Sequence, residues 1–215
     1  MEIMGSQWGR DKVYLRALKE GYRSRAAYKL LEIQERYHVI RDTDNIVDLG
    51  AAPGSWLQVE REITTGIVIG IDLSYIPPIE NTNTITWDFT NPAILDEVRA
   101  LVPYVSVAVS DASPKLSGQK TYDQARAIEL GENALLFAEK ILKPGGNFVV
   151  KSFQGQDFNI LLSKVKKRFL SVRTYRPHSS RRGSTEIYIV AKNFIGRDNT
   201  FESAKGDTDE AAGPL

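Results

Sequence analysis

Residues 48–56 read DLGAAPGSW, and they decide how the rest of the chain is interpreted. A short apolar, β-branched run precedes this stretch, and a helical pattern begins directly after it. Small residues between a buried strand and a helix let the backbone approach a ligand closely, and the helix N-terminus supplies free N–H groups there. The stretch therefore predicts a ligand site at the carboxyl end of a strand in an open α/β sheet.

The glycine spacing of this loop disfavours two common phosphate-binding motifs. Gly50 and Gly54 do not form the Gly-x-Gly-x-x-Gly fingerprint of dinucleotide-binding proteins, and no lysine follows them as in a P-loop. A nicotinamide oxidoreductase shares the predicted fold class but is disfavoured by this spacing.

Strand and helix patterns alternate along the chain, which predicts an α/β fold with helices on both faces of the sheet. We predict strands at 45–49, 66–73, 83–89, 105–110 and 147–152, most of them near-continuously apolar as buried parallel strands are, and helices at 24–37, 55–62, 91–100, 122–142 and 157–169. Two late strands, at 171–176 and 186–191, are separated by too few residues for a helical crossover. The prediction is a Rossmann-like, seven-stranded, mostly parallel sheet whose last strand is antiparallel.

Length and composition predict one domain in a chain of 215 residues, of which 42% are hydrophobic and 26% charged. We assign this domain to residues 1–196, and a polar, acidic, flexible tail to 197–215. Cysteine is absent and only two histidines occur, which argues against disulfides, thiolate catalysis and Cys- or His-rich metal sites. No apolar run has the length of a membrane span and no secretory signal pattern is found, so we expect a cytoplasmic protein without a metal or membrane partner.

The net charge of +1 conceals two basic segments that flank an acidic centre. Residues 1–30 hold seven basic and three acidic side chains, and residues 158–185 hold eight basic and no acidic ones. Such segments indicate a polyanionic partner, although a charge run can also be the solvated face of a helix. We predict that the N-terminal segment and residues 164–182 form one RNA-binding groove, where Tyr22, Tyr28 or Tyr175 could stack a base.

Two acidic residues end the strands that follow the loop. Asp72 lies 22 residues after Gly50, an offset at which a carboxylate can accept hydrogen bonds from ribose hydroxyls. Asp88 closes the next strand, where it could meet an adenine amino group. Each could instead be a cap or a turn former. Acids at successive strand ends also suit a ligand that carries a sulfonium charge.

A second group of charged residues centres on Lys151, which interrupts the apolar strand FVVKSF at 148–153. A buried lysine is costly unless it is paired or neutral, although a strand-end lysine can also reach water. Asp111 closes the fourth strand, Glu186 begins the last, and Lys29 lies in the first predicted helix.

With these residues in place, the sequence resembles the FtsJ/RrmJ family of RNA ribose 2′-O-methyltransferases, of the E type that acts on large-subunit (23S) ribosomal RNA. The resemblance spans about residues 8–194. Five motifs carry it: SRAAYKL at 24–30, VDLGAAPGSW at 47–56, VSDASP at 109–114, LKPGGNFVVKSF at 142–153 and STEIY at 184–188.

The resemblance implies a methyltransferase fold, S-adenosylmethionine (SAM) as cofactor, and a uridine in the assembled large subunit as target, with no metal and no DNA. It places a Lys-Asp-Lys-Glu tetrad on Lys29, Asp111, Lys151 and Glu186. It places the SAM contacts on Gly54, Trp56, Asp72, Asp88 and Asp111. A tRNA anticodon loop or capped mRNA remains an alternative target, and a SAM-binding assembly factor without catalysis an alternative class. We expect a monomer.

Our hypothesis for the chemistry gives Lys151 the role of general base toward the 2′-hydroxyl. Lys29 would position that hydroxyl and, as a neighbouring cation, favour the neutral amine of Lys151. Asp111 would orient Lys151 beside the methionine part of the cofactor, and Glu186 would steer the lysines from the opposite side.

Overall fold

The computed structural model describes residues 12–114, 117–155, 157–181 and 183–196. The proposed tail at 197–215 and the first eleven residues of the basic N-terminal segment lie outside these ranges, so the assignment of domain and tail remains a prediction. The helices are α1 (Lys12–Lys19), α2 (Ala26–Tyr37), α3 (Ser55–Ile63), α4 (Ile94–Leu101), α5 (Lys120–Ile141) and α6 (Phe158–Lys166). The strands are β1 (Ile46–Leu49), β2 (Val68–Asp72), β3 (Asn83–Thr86), β4 (Val105–Ser110), β5 (Leu142–Phe153), β6 (Phe169–Tyr175) and β7 (Glu186–Phe194).

The seven strands form one sheet in the order β3-β2-β1-β4-β5-β7-β6. Strands β1 to β5 pair in parallel, whereas β7 is antiparallel to both of its neighbours, β5 and β6. The predicted fold class is therefore confirmed, including the reversed last strand. Because parallel strands end at one edge, the carboxyl ends of β1, β2, β4 and β5 face the same side of the molecule as the start of β7.

A hydrophobic core lies on each face of the sheet. One core contains apolar side chains of α4, α5 and α6, and the other contains those of α2 and α3. The central strands β1 and β4 are buried at every position, as expected for strands covered on both faces. This three-layer arrangement fixes the strand ends relative to α2, which carries Lys29.

The structure has one helix that was not predicted, and several element bounds differ from the prediction, most of all the start of β5 at Leu142. Helix α1 was not predicted: it is amphipathic, but it is only eight residues long and buries only Ala17. The long helix ends at Ile141 rather than Leu142, since Leu142 already pairs with Val105 in the sheet. No helix within the described ranges has the length and apolar composition needed to cross a membrane.

Candidate active site

The loop between β1 and α3 approaches its neighbours so closely that only glycine fits at two positions. Gly50 has a φ of 75°, and a Cβ there would lie 2.6 Å from Cβ of Ala112. Gly54 has a φ of 103°, and a Cβ there would lie 2.7 Å from Nη1 of Arg23. The glycines of the motif are thus required by backbone conformation and by space.

Arg23 ties this loop to the connection between β2 and β3. Its guanidinium donates hydrogen bonds to the carbonyl oxygens of Pro53 at 2.8 Å, Pro77 at 2.7 Å and Pro78 at 2.9 Å. Three carbonyl acceptors on one planar group hold two loops in a fixed relation. Sequence reasoning counted Arg23 only as part of a basic segment.

A narrow cavity of about 20 Å³ opens between this loop and the start of α2. It is lined by Ser24, Ala26, Asp48, Gly50, Ala51, Ala52, Pro53, Ser55, Trp56 and Asp111. Trp56 is only 2% exposed, and its indole N–H donates to the carbonyl oxygen of Ala26 at 2.8 Å. This bond joins the wall of the cavity to the helix that carries Lys29.

Asp48 is the unexpected member of this lining. Its side chain is fully buried, and neither carboxylate oxygen has a hydrogen-bond partner among the described residues. Burial, with the nearby charges of Asp111 and Asp72, raises the pKa of Asp48 well above its ordinary value. An orphaned acid at a cavity wall suits a cationic ligand group. The sequence signal was its place in the DLG motif, which predicted a ligand site but gave Asp48 itself no role.

Asp72 and Asp88 lie at the ends of β2 and β3 but line neither this cavity nor the larger one described below. Asp72 accepts hydrogen bonds from the N–H groups of Ala52 at 3.0 Å and Ser74 at 2.7 Å. Asp88 is exposed and accepts from the N–H and hydroxyl of Thr90 at 2.9 and 2.7 Å. Both carboxylates therefore order local turns in the described structure.

The four tetrad residues come together at the carboxyl edge of the sheet. Nζ of Lys29 lies 2.5 Å from Oε1 of Glu186 and 3.8 Å from Oδ2 of Asp111. Nζ of Lys151 lies 3.2 Å from Oδ1 of Asp111 and also donates to its backbone carbonyl oxygen. Lys151 is only 8% exposed. The strand lysine is thus paired rather than solvated, as the apolar surroundings in the sequence indicated.

Tyr188 joins the two halves of the tetrad and was missed by the sequence analysis. Its hydroxyl lies 2.5 Å from Oδ1 of Asp111 and 2.9 Å from Oε1 of Glu186. Burial and these two carboxylates raise the pKa of Tyr188 well above its ordinary value, so the hydroxyl keeps its proton. Glu186 and Tyr188 share one face of β7 because they are two residues apart, which is the signal that could have revealed Tyr188.

Asp111 is the centre of the network. Burial alone would raise the pKa of Asp111, but Lys151, Lys29 and the Tyr188 hydroxyl together hold it below its ordinary value. The carboxylate is therefore charged at neutral pH and pairs with both lysines.

A larger cavity of about 400 Å³ opens on the tetrad. Four of its five charged lining residues are basic, and the full lining is Ser24, Arg25, Ala26, Lys29, Ser113, Lys151, Phe153, Arg181, Ser184 and Glu186. Ser24 and Ala26 line both cavities, so one wall is shared. The two cavities are therefore adjacent, and Lys29 and Lys151 lie at the larger one.

The prediction of a single basic groove is wrong for Lys164 and Arg168. Nζ of Lys164 lies 2.6 Å from Oε1 of Glu132, and Nε of Arg168 lies 3.0 Å from Oε1 of Glu139 on α5. Both residues lie near the end of the connection from β5 to β6 through α6. This connection returns the chain to the edge of the sheet opposite to the tetrad. Arg181 does line the tetrad cavity, and Arg182 lies outside the described residues.

The three tyrosines proposed as stacking platforms have partners within the protein. Tyr22 and Tyr28 pack edge to face with their ring centroids 6.0 Å apart, and Tyr28 donates to Glu20 at 2.7 Å. Tyr175 packs against Tyr37 and donates to Glu32 at 3.1 Å. These contacts support structural roles for the rings.

Comparison with known proteins places this geometry in a family. The model of the FtsJ-like methyltransferase family matches residues 22–194, a span that includes both cavities and the whole tetrad. The chain belongs to the FtsJ-like methyltransferase family. It is a methyltransferase, as the sequence motifs indicated.

Relatives cover almost the whole of this FtsJ-like methyltransferase. The Methanosphaerula palustris protein named ribosomal RNA large subunit methyltransferase E is 62% identical over 199 residues, which are 93% of this chain and 98% of that one. The protein of the same name from Methanoculleus marisnigri is 60% identical over 99% of this chain and 100% of that one. A crystal structure described as a ribosomal RNA methyltransferase from Plasmodium falciparum has a TM-score of 0.74 and 32% identity, covering 82% of this chain and 100% of that one.

The hydroxyl of Tyr188 lies between the carboxylates of Asp111 and Glu186, and its removal should affect catalysis. Tyr188→Phe should slow methyl transfer about tenfold, because loss of one buried hydrogen bond costs roughly 1–2 kcal/mol and leaves two carboxylates facing each other. Single-turnover rates of this methyltransferase measure the effect. Tyr104→Phe, at an exposed position on the opposite edge, is the control and should match wild type. An unchanged rate in Tyr188→Phe would remove Tyr188 from the network's function.

Glu60 on α3 supports a prediction about stability. It is fully buried, and neither carboxylate oxygen has a partner among the described residues. Burial, with Asp48 nearby, raises the pKa of Glu60 well above its ordinary value. Because the pKa of Glu60 is higher in the folded protein than in the unfolded chain, the contribution of Glu60 to the free energy of unfolding is most favourable below the ordinary carboxyl pKa. That contribution is lost as the pH rises toward the pKa of the folded state. Glu60 therefore costs stability at neutral pH.

We expect Glu60→Met to raise the free energy of unfolding by about 1–3 kcal/mol at neutral pH, since an unpartnered buried polar group is removed. Urea denaturation measures the gain, which should shrink at acidic pH. Glu35→Met, at an exposed position on α2, is the matched control and should change stability little. A loss of stability in Glu60→Met would show that Glu60 has a partner in solution.

Proposed function

We propose that this enzyme transfers a methyl group from SAM to a ribose 2′-hydroxyl in large-subunit ribosomal RNA, at a uridine. The observation that carries the proposal is the meeting of the narrow acidic cavity and the wider basic cavity at Lys29, Asp111 and Lys151. The relatives' names supply the target, because two proteins that match over nearly their full length are named for ribosomal RNA of the large subunit.

The described residues fit a cationic cofactor in the narrow cavity. Asp48 has two buried carboxylate oxygens without partners, and Asp111 borders the same space. We propose that Gly54, Trp56 and Asp111 bind the methionine part of SAM, and that Asp72 and Asp88 bind its adenosine part. When bound, the cofactor supplies an activated methyl group on a sulfonium.

Lys151 is suited to accept the proton of the 2′-hydroxyl. A neutral lysine amine has two N–H donors and one lone pair. Asp111 presents two acceptors to Nζ of Lys151, its Oδ1 and its backbone carbonyl oxygen. Both N–H groups can therefore donate to Asp111 while the lone pair accepts the hydroxyl proton.

Lys29 and Glu186 form the opposite side of the network. The ion pair at 2.5 Å holds the ammonium of Lys29 at the wall of the larger cavity. From that position the ammonium can donate a hydrogen bond to the 2′-oxygen and stabilise the negative charge that develops there. Glu186 keeps Lys29 in place and balances its charge. We propose that Lys29 orients the hydroxyl and Lys151 deprotonates it.

The experiment that tests this function measures labelled methyl transfer from SAM to purified large ribosomal subunits, free large-subunit ribosomal RNA and bulk tRNA. We expect label on the ribosomal material, at a 2′-O-methylated ribose identified by resistance to alkaline cleavage. The matched negative control is Lys151→Ala. Label on tRNA alone would overturn the target, and bound SAM without any transfer would favour the non-catalytic assembly factor.

A further inference from the structure

The loop between β6 and β7 forms one wall of the larger cavity. It spans residues 176–185, and its members Arg181 and Ser184 line the cavity beside Lys29 and Lys151. A loop of this length without regular structure is held in place by its side-chain and backbone contacts. Those contacts come from Glu32 and Arg25 on one side of the loop and from Gln154 and Glu186 on the other.

Glu32 on α2 binds the backbone of this loop. Its Oε2 accepts a hydrogen bond from the N–H of His178 at 2.6 Å, and its Oε1 accepts one from the N–H of Ser179 at 2.9 Å. The hydroxyl of Tyr175, at the end of β6, donates to Oε2 at 3.1 Å. Hydrogen bonds to a carboxylate are stronger than those between neutral groups. One side chain therefore fixes the start of the loop to α2.

The charge of Glu32 is maintained by these same partners. Burial raises the pKa of Glu32, but the hydrogen bonds from Ser179, His178 and Tyr175 outweigh it and hold the pKa below its ordinary value. The carboxylate is ionised at neutral pH, so the hydrogen bonds are charge-assisted.

The N-cap residue of α2 and two residues of the helix act on the loop and the tetrad together. Arg25, Lys29 and Glu32 follow the three-and-four spacing that places side chains on one side of a helix, and Arg25 is the N-cap residue that precedes α2. Arg25 donates to the carbonyl oxygen of Ser179, while Lys29 pairs with Glu186. The helix that supplies Lys29, with its N-cap, thus also supplies both side chains that contact the loop at Ser179.

The far side of the loop is tied to the tetrad. The hydroxyl of Ser180 lies 3.4 Å from Oε2 of Glu186, and Nε of Arg176 donates to the backbone carbonyl oxygen of Glu186 at 3.3 Å. Glu32 is not part of the tetrad, and Lys29 is held by α2 rather than by the loop. A shift of the loop away from Glu32 would therefore change the wall of the cavity while all four tetrad residues stay in the protein.

We propose that Glu32 is a positioning residue for the RNA substrate: it anchors loop 176–185 as a preformed wall that receives the strand carrying the target ribose. The proposal rests on the proposed function for its substrate. Arg181 brings positive charge to that wall, which matches the phosphates of an RNA strand. Glu32 lines neither cavity, so it would act through the loop.

The first test separates binding of RNA from chemistry. In Glu32→Ala we expect KM for RNA to rise about tenfold or more, with kcat within about threefold of wild type and SAM affinity unchanged. Glu35→Ala, one turn along α2 and exposed, is the matched control and should keep wild-type KM. Glu32→Gln, which keeps the shape but not the charge, should fall between wild type and Glu32→Ala. A wild-type KM in both Glu32 variants would overturn the proposal.

The second test reads the loop directly and needs no RNA. Limited trypsin digestion should cut after Arg181 at least several times faster in Glu32→Ala than in wild type or Glu35→Ala, because an anchored loop resists the protease. Mass spectrometry identifies the cut. Equal cleavage rates would show that Glu32 does not anchor the loop. Failure of wild type to methylate RNA would overturn the proposed function, and the digestion would still decide whether Glu32 holds the loop.

Discussion

Lys151→Ala is expected to lower the single-turnover rate of methyl transfer by about 10²–10⁴-fold, the range that general base catalysis contributes. The substitution removes the amine that Asp111 holds with two acceptors at the larger cavity. Lys151 does not line the narrow cavity, so the affinity for SAM, measured by calorimetry, should stay within about threefold of wild type.

Two further variants test whether the loss of rate comes from the loss of a proton acceptor or from the loss of positive charge. Lys151→Arg should be as inactive as Lys151→Ala, because a guanidinium stays protonated at the working pH. Lys166→Ala removes a lysine from the exposed end of α6 and should retain full activity. Activity near wild type in Lys151→Ala would disprove the assignment of the general base.

Asp111→Asn is expected to have the second large effect, on both activity and stability. Neutralising Asp111 leaves the buried ammonium of Lys151 without its carboxylate and weakens the contact at 3.8 Å to Lys29. Breaking a buried ion pair on one side costs up to about 3–5 kcal/mol. We expect a rate loss of at least about 10²-fold and a clear fall in the free energy of unfolding.

The pH dependence of this stability loss has a definite sign. The pKa of Asp111 is lowered in the folded protein. The stabilisation that Asp111 gives is therefore fully present above the ordinary carboxyl pKa, and it is lost as the pH falls through the pKa of the folded state. The difference in unfolding free energy between wild type and Asp111→Asn should therefore be largest at neutral pH and shrink in acid.

Urea denaturation at neutral and acidic pH measures this difference. Asp96→Asn is the control, because Asp96 forms an exposed ion pair with Arg99 at 3.2 Å, a kind of pair worth about 0–1 kcal/mol. Equal stability losses in Asp96→Asn and Asp111→Asn would contradict the central role of Asp111.

The sequence predicted the parts of the fold and site that follow from local pattern. Apolar runs predicted the parallel strands, and a lysine inside one of them made Lys151 a candidate for a paired, buried group. Close spacing of the last two strands predicted the reversed β7, which delivers Glu186 to the tetrad. Each of these inferences depends only on the residue types that lie nearby in the sequence.

The features that were missed depend on packing between distant segments. Glu60 is followed by Arg61 and Glu62 and so has the local pattern of an exposed helix position, but α3 is covered by α2 as well as by the sheet. Lys164 and Arg168 form a basic run whose location at the far edge depends on where the crossover ends. Charge and periodicity along the chain do not specify either arrangement.

The order in which the tetrad residues occur along the chain has a consequence for biosynthesis. Lys29 and Glu186 meet although they are 157 positions apart, and β7 must insert between β5 and β6 to bring Glu186 there. During translation the pair cannot form until the last strand of the sheet has left the ribosome exit tunnel. A nascent chain, or one truncated before residue 186, would therefore lack a complete site. Only a chain in which all seven strands have been synthesised and paired can carry out methyl transfer.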